Sequence, residues 1–174
     1  ALRNGDMEYI IGEVIDQAEK GADVLDINTG LPEIDEAAVI ARVVKEVQSV
    51  TSLPLQIDSS DPKAIEAGVR ACNGRPIINS VNGTKENMAM IFQIAKKYGA
   101  VVVGLTLDET GIPQSAEDRY EVAKRIVETA AVYSIPREDI LIDCLTLTAS
   151  AQQEAVLDTL QAIKLVKSRL GVKT

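Results

Sequence analysis

The feature that most constrains this chain is an alternation repeated along its whole length: a short β-branched run, a turn, then a longer stretch with apolar residues at helical spacing. Asp6 is placed to cap a helix in which Met7, Ile10, Ile11, Val14, Ile15 and Ala18 share one face, and Gly21 is placed to end it. A strand over Asp23 to Asn28 follows, then a helix from Glu33 to Val50. Leu53-Pro54 opens a strand over Leu55 to Asp58. Asp61-Pro62 next supplies an N-cap followed by proline at the first helical position, for a helix reaching Asn73 that Gly74 stops. The third cycle reads as a strand over Pro76 to Ser80 and a helix from Lys85 to Tyr98. Ala100 to Leu107 forms the fourth strand. Ser115 with Asp118 resembles a capping box for a helix to Tyr133, and the fifth strand is Asp139 to Asp143. A last helix is expected from Ala151 to Arg169.

Strands alternating with helices require βαβ crossovers, and therefore a parallel sheet. The run Ala100-Val101-Val102-Val103-Gly104-Leu105 lacks the alternation of a half-exposed strand, so it is expected to be buried on both faces. With 174 residues, 46% hydrophobic and 25% charged, and no break in composition, the chain reads as one globular domain over residues 1–174.

Charge and composition then remove whole classes of function. The net charge is −8 and no basic stretch is longer than Lys96-Lys97, so nothing offers a phosphate backbone or an anionic membrane surface a complementary face. Aromatic residues make up only 3%, which removes the stacking platforms of single-strand binders. Neither a nucleic acid nor a membrane is expected as partner, and no apolar run approaches the ~18 residues of a membrane span. Cys72 and Cys144 form no CxxC pair and read as free thiols of a reducing compartment, the cytoplasm, with Cys72 a small hydrophobe on a helix. There is no histidine, hence no Ser-His or Cys-His pair, no HExxH zinc site and no imidazole base, and no bound metal is expected. Chemistry in this chain must run on carboxylates, amides, backbone dipoles or a bound cofactor.

The polar residues that close the strands are therefore the candidates: Asp26 and Asn28, then Asp58, Asn79, Asp108 and Asp143. In parallel α/β architectures the carboxyl ends of strands lie at one face, so such side chains converge on one mouth suited to a ligand rich in N–H donors. Each has a plainer reading as a cap or turn former. Asn28-Thr29-Gly30 and Asn82-Gly83 look mainly like turns, whereas Asp58, Asn79 and Asp143 end apolar strands directly. Gly104 either admits a ligand to the backbone or accommodates a packed neighbour.

Six ordered segments carry a resemblance: Gly21-Ala22-Asp23-Val24-Leu25-Asp26-Ile27-Asn28-Thr29-Gly30, Leu55-Gln56-Ile57-Asp58-Ser59-Ser60, Ile65-Glu66-Ala67-Gly68, Ile77-Ile78-Asn79-Ser80-Val81-Asn82, Gly104-Leu105-Thr106 with Thr110-Gly111-Ile112-Pro113, and Ile142-Asp143. Together they resemble the pterin-binding methyltransferase family, which includes the folate-binding domain of cobalamin-dependent methionine synthase and methyltransferases that serve corrinoid proteins. The resemblance implies a TIM (β/α)8 barrel of the pterin-binding type, of which this chain supplies five strands. The opening strand and the last two βα units of that barrel are not in the sequence, and the chain reads as a fragment of a longer polypeptide. It further implies that 5-methyltetrahydrofolate binds in the mouth and gives its N5 methyl to cob(I)alamin. With no histidine to ligate cobalt, that cobalamin arrives on a corrinoid protein or cobalamin domain. A homodimer is compatible with the family.

By the same resemblance Asp58, Asn79 and Asp143 hold the pterin, Asp26 and Asn28 belong to the mouth, and the Asn-bearing loop that the family places near N5 is not in the sequence. With no histidine, an Asn amide, ordered water and the Asp network are the sources for assisting N5 as it leaves, and Asn79 is the catalytic candidate. Asp143 is followed by Cys144 where several relatives have proline. Elementary chemistry agrees with the assignment, because ionised Asp accepts strongly from the amino-pyrimidinone edge, while an Asn amide donates and accepts at once. Three rivals stand beside it. A dihydropteroate synthase-like enzyme shares fold and pocket but needs cations for a pyrophosphate; a noncatalytic pterin-binding fragment needs no reaction; an open flavodoxin-like sheet lacks its glycine-rich phosphate loop here. The Gln152-Gln153 region is similar to methionine-synthase-like members.

Overall fold

The computed structural model describes residues 2, 5–146 and 153–174. Among them, five strands run parallel in one sheet, in the order β1-β2-β3-β4-β5, with helices alternating between them. The chain divides into two compact units, one of residues 1–79 and 98–100, the other of residues 80–97 and 101–174.

In the first unit, helix α1 (Met7–Glu19) is capped by Asp6, whose carboxylate accepts from the backbone N–H of Tyr9. Strand β1 (Leu25–Asn28) pairs with β2 (Leu55–Asp58), which pairs in turn with the start of β3 (Ile77–Asn82). Helix α2 is Glu36–Gln48, shorter than the expected span from Glu33 to Val50. Glu33 adopts a left-handed φ of 66°, which cannot begin an α-helix, and the carboxylate of Asp35 caps the helix instead, at the N–H of Ala38. Helix α3 (Pro62–Ala71) starts at the Asp61-Pro62 signal, with Asp61 accepting from Lys63. Cys72 is the residue after α3, half-buried rather than inside the helix; burial pushes its thiol up to about 11.

The strands of this unit are two-faced. Leu25, Ile27, Leu55, Ile57 and Ile78 are buried beneath the helices, each fully covered aliphatic contributing about 1.5–3 kcal/mol. Gly68 of α3 lets the helix approach β2 so closely that an added Cβ would lie 2.7 Å from Cγ2 of Ile57. Because side chains alternate along a strand and register partners share a side, Asp26, Asn28, Gln56, Asp58 and Asn79 stand together on the opposite, open face.

In the second unit, α4 (Lys85–Tyr98, its last residue belonging to the first unit) is followed by β4 (Val101–Leu105), α5 (Ala116–Val132), β5 (Ile140–Asp143) and α6 (Gln153–Leu165). Of the capping box expected at Ser115 the N-cap half is formed: its hydroxyl accepts from the Asp118 N–H, and it donates to the Asp118 carboxylate. Two short elements have no counterpart in the sequence periodicity: a 3-10 turn at Arg137–Asp139 and a π turn at Val166–Leu170 that carries α6 onward. The fourth strand stops at Leu105, two residues early, because the N–H of Leu107 folds back onto the carbonyl of Leu105. Nor is β4 buried on both faces: Val102 and Gly104 are covered, whereas Val101, Val103 and Leu105 are half-buried. The helix side alone seals it. Gly104 has the packing explanation, since an added Cβ would lie 3.0 Å from both Ile126 and Ile142. Lys173 forms a parallel bridge with Leu141 on the outer edge of β5. The expected helix start at Ala151, and Gln152 of the pair noted above, lie outside the described residues. No described helix is long and apolar enough to cross a membrane.

Candidate functional site

The parallel register sets the site of the first unit. Asn28 is the partner of Asp58, and Asp58 the partner of Asn79, so two strand-closing residues stand abreast of Asn79, which does not end its strand as expected: β3 runs past Ser80 to Asn82. The Asn28 amide donates to Asp58 at 2.9 Å, while its carbonyl oxygen accepts from the N–H of Gly30 at 3.0 Å. Asn28 is thus both the turn former of its plainer reading and the residue that steadies Asp58. The strand candidates Asp58 and Asn79 remain half-buried.

One strand turn below lies a residue that sequence reasoning passed over. Gln56, the register partner of Asp26, donates its amide to the Asp26 carboxylate at 2.6 Å. Its signal was available: in Leu55-Gln56-Ile57-Asp58, period-two alternation puts Gln56 on the side of Asp58, and a polar residue inside so short a strand asks for a partner. Partial burial raises the Asp26 carboxyl above its ordinary value, against the opposing bond from Gln56; the nearby Asp58 carboxylate raises it further, and Asn79 pulls it down. Two carboxylates, two amides and Asn79 therefore form one hydrogen-bonding patch, open on one side.

In the second unit Asp143 closes β5, beside Leu105, and is exposed. One of its carboxylate oxygens accepts from the N–H of Leu145 at 2.7 Å, which fixes its orientation within its own turn. Cys144 is buried, and burial pushes its thiol up to about 11, with the Asp143 charge adding to the rise. Asp108 behaves differently from the strand-end set. It accepts from the N–H and hydroxyl of Thr110, bridges Gly111, and pairs with Arg125 at 3.2 Å, and these contacts hold its carboxyl below the ordinary value, Thr110 contributing most. It is a turn residue. Asn82 is one too, its carbonyl oxygen accepting from the N–H of Thr84.

Parallel strands with helices between them, hydrogen-bonded in strictly sequential order, are what part of a (β/α) barrel presents, whereas open doubly wound sheets reverse their strand order. Comparison with solved structures agrees: dihydropteroate synthase of Xanthomonas albilineans with 4-aminobenzoic acid matches at a TM-score of 0.76, with 20% identity, over 99% of this chain and 64% of that one. The same enzyme with 7,8-dihydropteroate matches at 0.69, over 95% of this chain and 62% of that one. At such identity the likeness is one of fold. The chain belongs to the pterin binding enzyme family, which it matches over residues 1–174.

Among curated proteins it is 31% identical over 164 residues to the methionine synthase of Mycobacterium leprae (strain TN), covering 88% of this chain and 14% of that protein. It is 30% identical over 161 residues to the methylcorrinoid:tetrahydrofolate methyltransferase of Eubacterium limosum, covering 91% of this chain and 59% of that protein. The chain thus spans a small part of the one and somewhat over half of the other.

Proposed function

We propose that residues 1–174 act as one pterin-binding barrel domain of a methyltransferase that moves the N5 methyl of 5-methyltetrahydrofolate to cob(I)alamin on a corrinoid protein or domain, in the cytoplasm. The observation that carries this reading is the row of Asn28, Asp58 and Asn79 in direct register, with Gln56 and Asp26 behind it. The donor set fits a pterin. Ionised carboxylates accept from the amino group and ring N–H of the pyrimidinone, and an amide beside them satisfies the mixed edge. The names of the curated relatives support the same class of reaction.

In this reading Asp58 and Asp143 accept from the pterin, and Asn28 holds Asp58 in position. Asp26 and Gln56 set the polarity behind them. The Asn79 amide donates toward the pterin ring, and a hydrogen bond that strengthens as N5 departs lowers the barrier to leaving. Cob(I)alamin on the partner supplies the nucleophile, so no side chain of this chain has to form a covalent bond. A dihydropteroate synthase-like reaction is the rival, and it rests on fold likeness alone.

Calorimetric titration of 5-methyltetrahydrofolate into the full-length protein, with Asp58→Asn and Asn79→Ala alongside, tests the reading. Binding that falls in Asp58→Asn, with methyl transfer to cob(I)alamin falling in Asn79→Ala, is expected. Turnover of a pterin pyrophosphate with 4-aminobenzoate, and no binding of the methylated folate, would transfer the chain to the rival class.

A further inference from the structure

We propose that Arg119 is a positioning residue of the pterin site, holding from the first turn of α5 the backbone that carries Asp143. The inference rests on the role proposed for Asp143. Arg119 is fully buried, 0% exposed, yet its hydrogen-bond partners among the described residues are neutral oxygens. Its Nε donates to the carbonyl of Pro113 at 2.8 Å. Its Nη1 donates to the carbonyls of Cys144 and Leu145, each at 3.0 Å, and to the Thr159 hydroxyl at 2.6 Å. Its Nη2 is buried with no partner among the described residues.

A buried guanidinium without a carboxylate is a poor device for stability, since an aliphatic side chain would fill the space without the desolvation penalty. What a guanidinium does that an aliphatic chain cannot is fix several carbonyls at once in a planar fork. Here the fork joins the loop after β4, at Pro113, to the loop after β5, at Cys144 and Leu145. Leu145 needs such support. Its φ of 56° is left-handed, a conformation that a branched side chain disfavours, and its N–H is the donor that grips the Asp143 carboxylate at 2.7 Å. Arg119 holds the carbonyl of Leu145 while Asp143 takes its N–H, so the buried cation reaches the exposed carboxylate through one residue. Thr159 of α6 closes the arrangement, its hydroxyl donating to the same Leu145 carbonyl at 3.2 Å.

The test is a double-mutant cycle on the full-length protein, reading the Kd for 5-methyltetrahydrofolate by calorimetry and the folded state by circular dichroism. Arg119→Met is expected to weaken binding about tenfold, part of the ten- to hundredfold that loss of a charged hydrogen bond gives. In an Asp143→Asn background the same change should alter affinity by less than about twofold, because the residue it acts through is already disabled. Arg119→Lys keeps the charge but not the fork, and should weaken binding about threefold, the equivalent of one net hydrogen bond. If Arg119→Met does not fold, Arg119→Lys with and without Asp143→Asn decides the same question. A folded Arg119→Met or Arg119→Lys that binds as wild type, or a loss that adds in full to that of Asp143→Asn, overturns the inference. If Asp143→Asn itself binds normally while Asp58→Asn does not, the role of Asp143 falls together with the inference, but the reading of the first unit stands.

Discussion

The carboxylates and carboxamides of β1 to β3 and the carboxylates that follow β4 and close β5 are the same kinds of acceptor used in different ways. At the first set, side chains bond to side chains on neighbouring strands: Asn28 to Asp58, Gln56 to Asp26. At the second set, Asp108 and Asp143 bond to the backbone two residues onward, at Thr110 and Leu145. A carboxylate held by a neighbouring strand is steadied by the sheet and keeps accepting capacity facing outward. One folded into its own turn has spent an oxygen on local structure, and keeps a functional part only if the turn itself is rigid. That is why a buried arginine matters behind Asp143, and why Asp108, already paired with Arg125, reads as architecture.

The comparison breaks or holds first on affinity. Asp58→Asn is expected to weaken binding of 5-methyltetrahydrofolate about ten- to hundredfold, the effect of losing about 1.5–3 kcal/mol of charged hydrogen bonding. Asp108→Asn should change it by less than about twofold. Calorimetry on the two variants side by side reads both, and equal losses would mean that strand-end geometry does not separate ligand-binding from turn-forming carboxylates.

Stability sharpens it next, through two glycines that allow close approach. A Cβ on Gly83 would lie 2.7 Å from Cγ1 of Val122 and 3.1 Å from the backbone carbonyl of Leu107, to which Gly83 also donates its N–H at 2.8 Å. A Cβ on Gly68 meets only the side chain of Ile57. Overpacking costs about 1–3 kcal/mol, and Gly83→Ala belongs at the upper end because backbone cannot yield as a side chain does. For Gly68→Ala the helical propensity of alanine returns about 0.5–1 kcal/mol against the shift that the buried, β-branched Ile57 must make, so its net cost should be the lower of the two. Urea unfolding of both variants checks the order; a larger loss in Gly68→Ala would show that the helix face of the first unit is the less forgiving.

Much of this arrangement is readable from the chain alone because it is written in local chemistry. Asp6, Asp61 and Ser115 cap the helices where side-chain oxygens next to apolar periodicity say they should. Asp26, Asn28, Asp58 and Asn79 share a face because period-two alternation leaves them no other choice. What escaped depended on tertiary context. Glu33 lies in a stretch with helical patterning, yet its left-handed backbone moves the start of α2 to Glu36. The run from Ala100 to Leu105 is apolar on both sides, and nothing in a continuous apolar run says which side the helices will cover. Arg119 looks like one more charge on the polar face of an amphipathic helix. Only the convergence of Pro113, Cys144 and Leu145 upon it reveals a buried group.

The smallest expected effect has opposite signs in the two regions. The Asp26 carboxyl is raised above its ordinary value of 3.8, chiefly by partial burial, so its ionised form is less favourable in the folded chain than in the unfolded one. That unfavourable contribution is present at neutral pH and fades as pH falls through the raised value toward 3.8. Asp26→Asn should therefore raise the thermal midpoint slightly at pH 7, and the gain should vanish near pH 3. The Asp108 carboxyl is lowered, chiefly by Thr110, so its contribution favours folding above 3.8 and is lost as pH falls through its lowered value. Asp108→Asn should lower the midpoint at pH 7, within the ~1 kcal/mol of an exposed ion pair, and converge on wild type in acid. Thermal unfolding at pH 7 and pH 3 separates the two. An Asp26→Asn variant less stable than wild type at pH 7 would mean that Gln56 and Asn79 stabilise the Asp26 charge more than burial opposes it, making Asp26 a structural anchor instead of a strained acceptor facing a ligand.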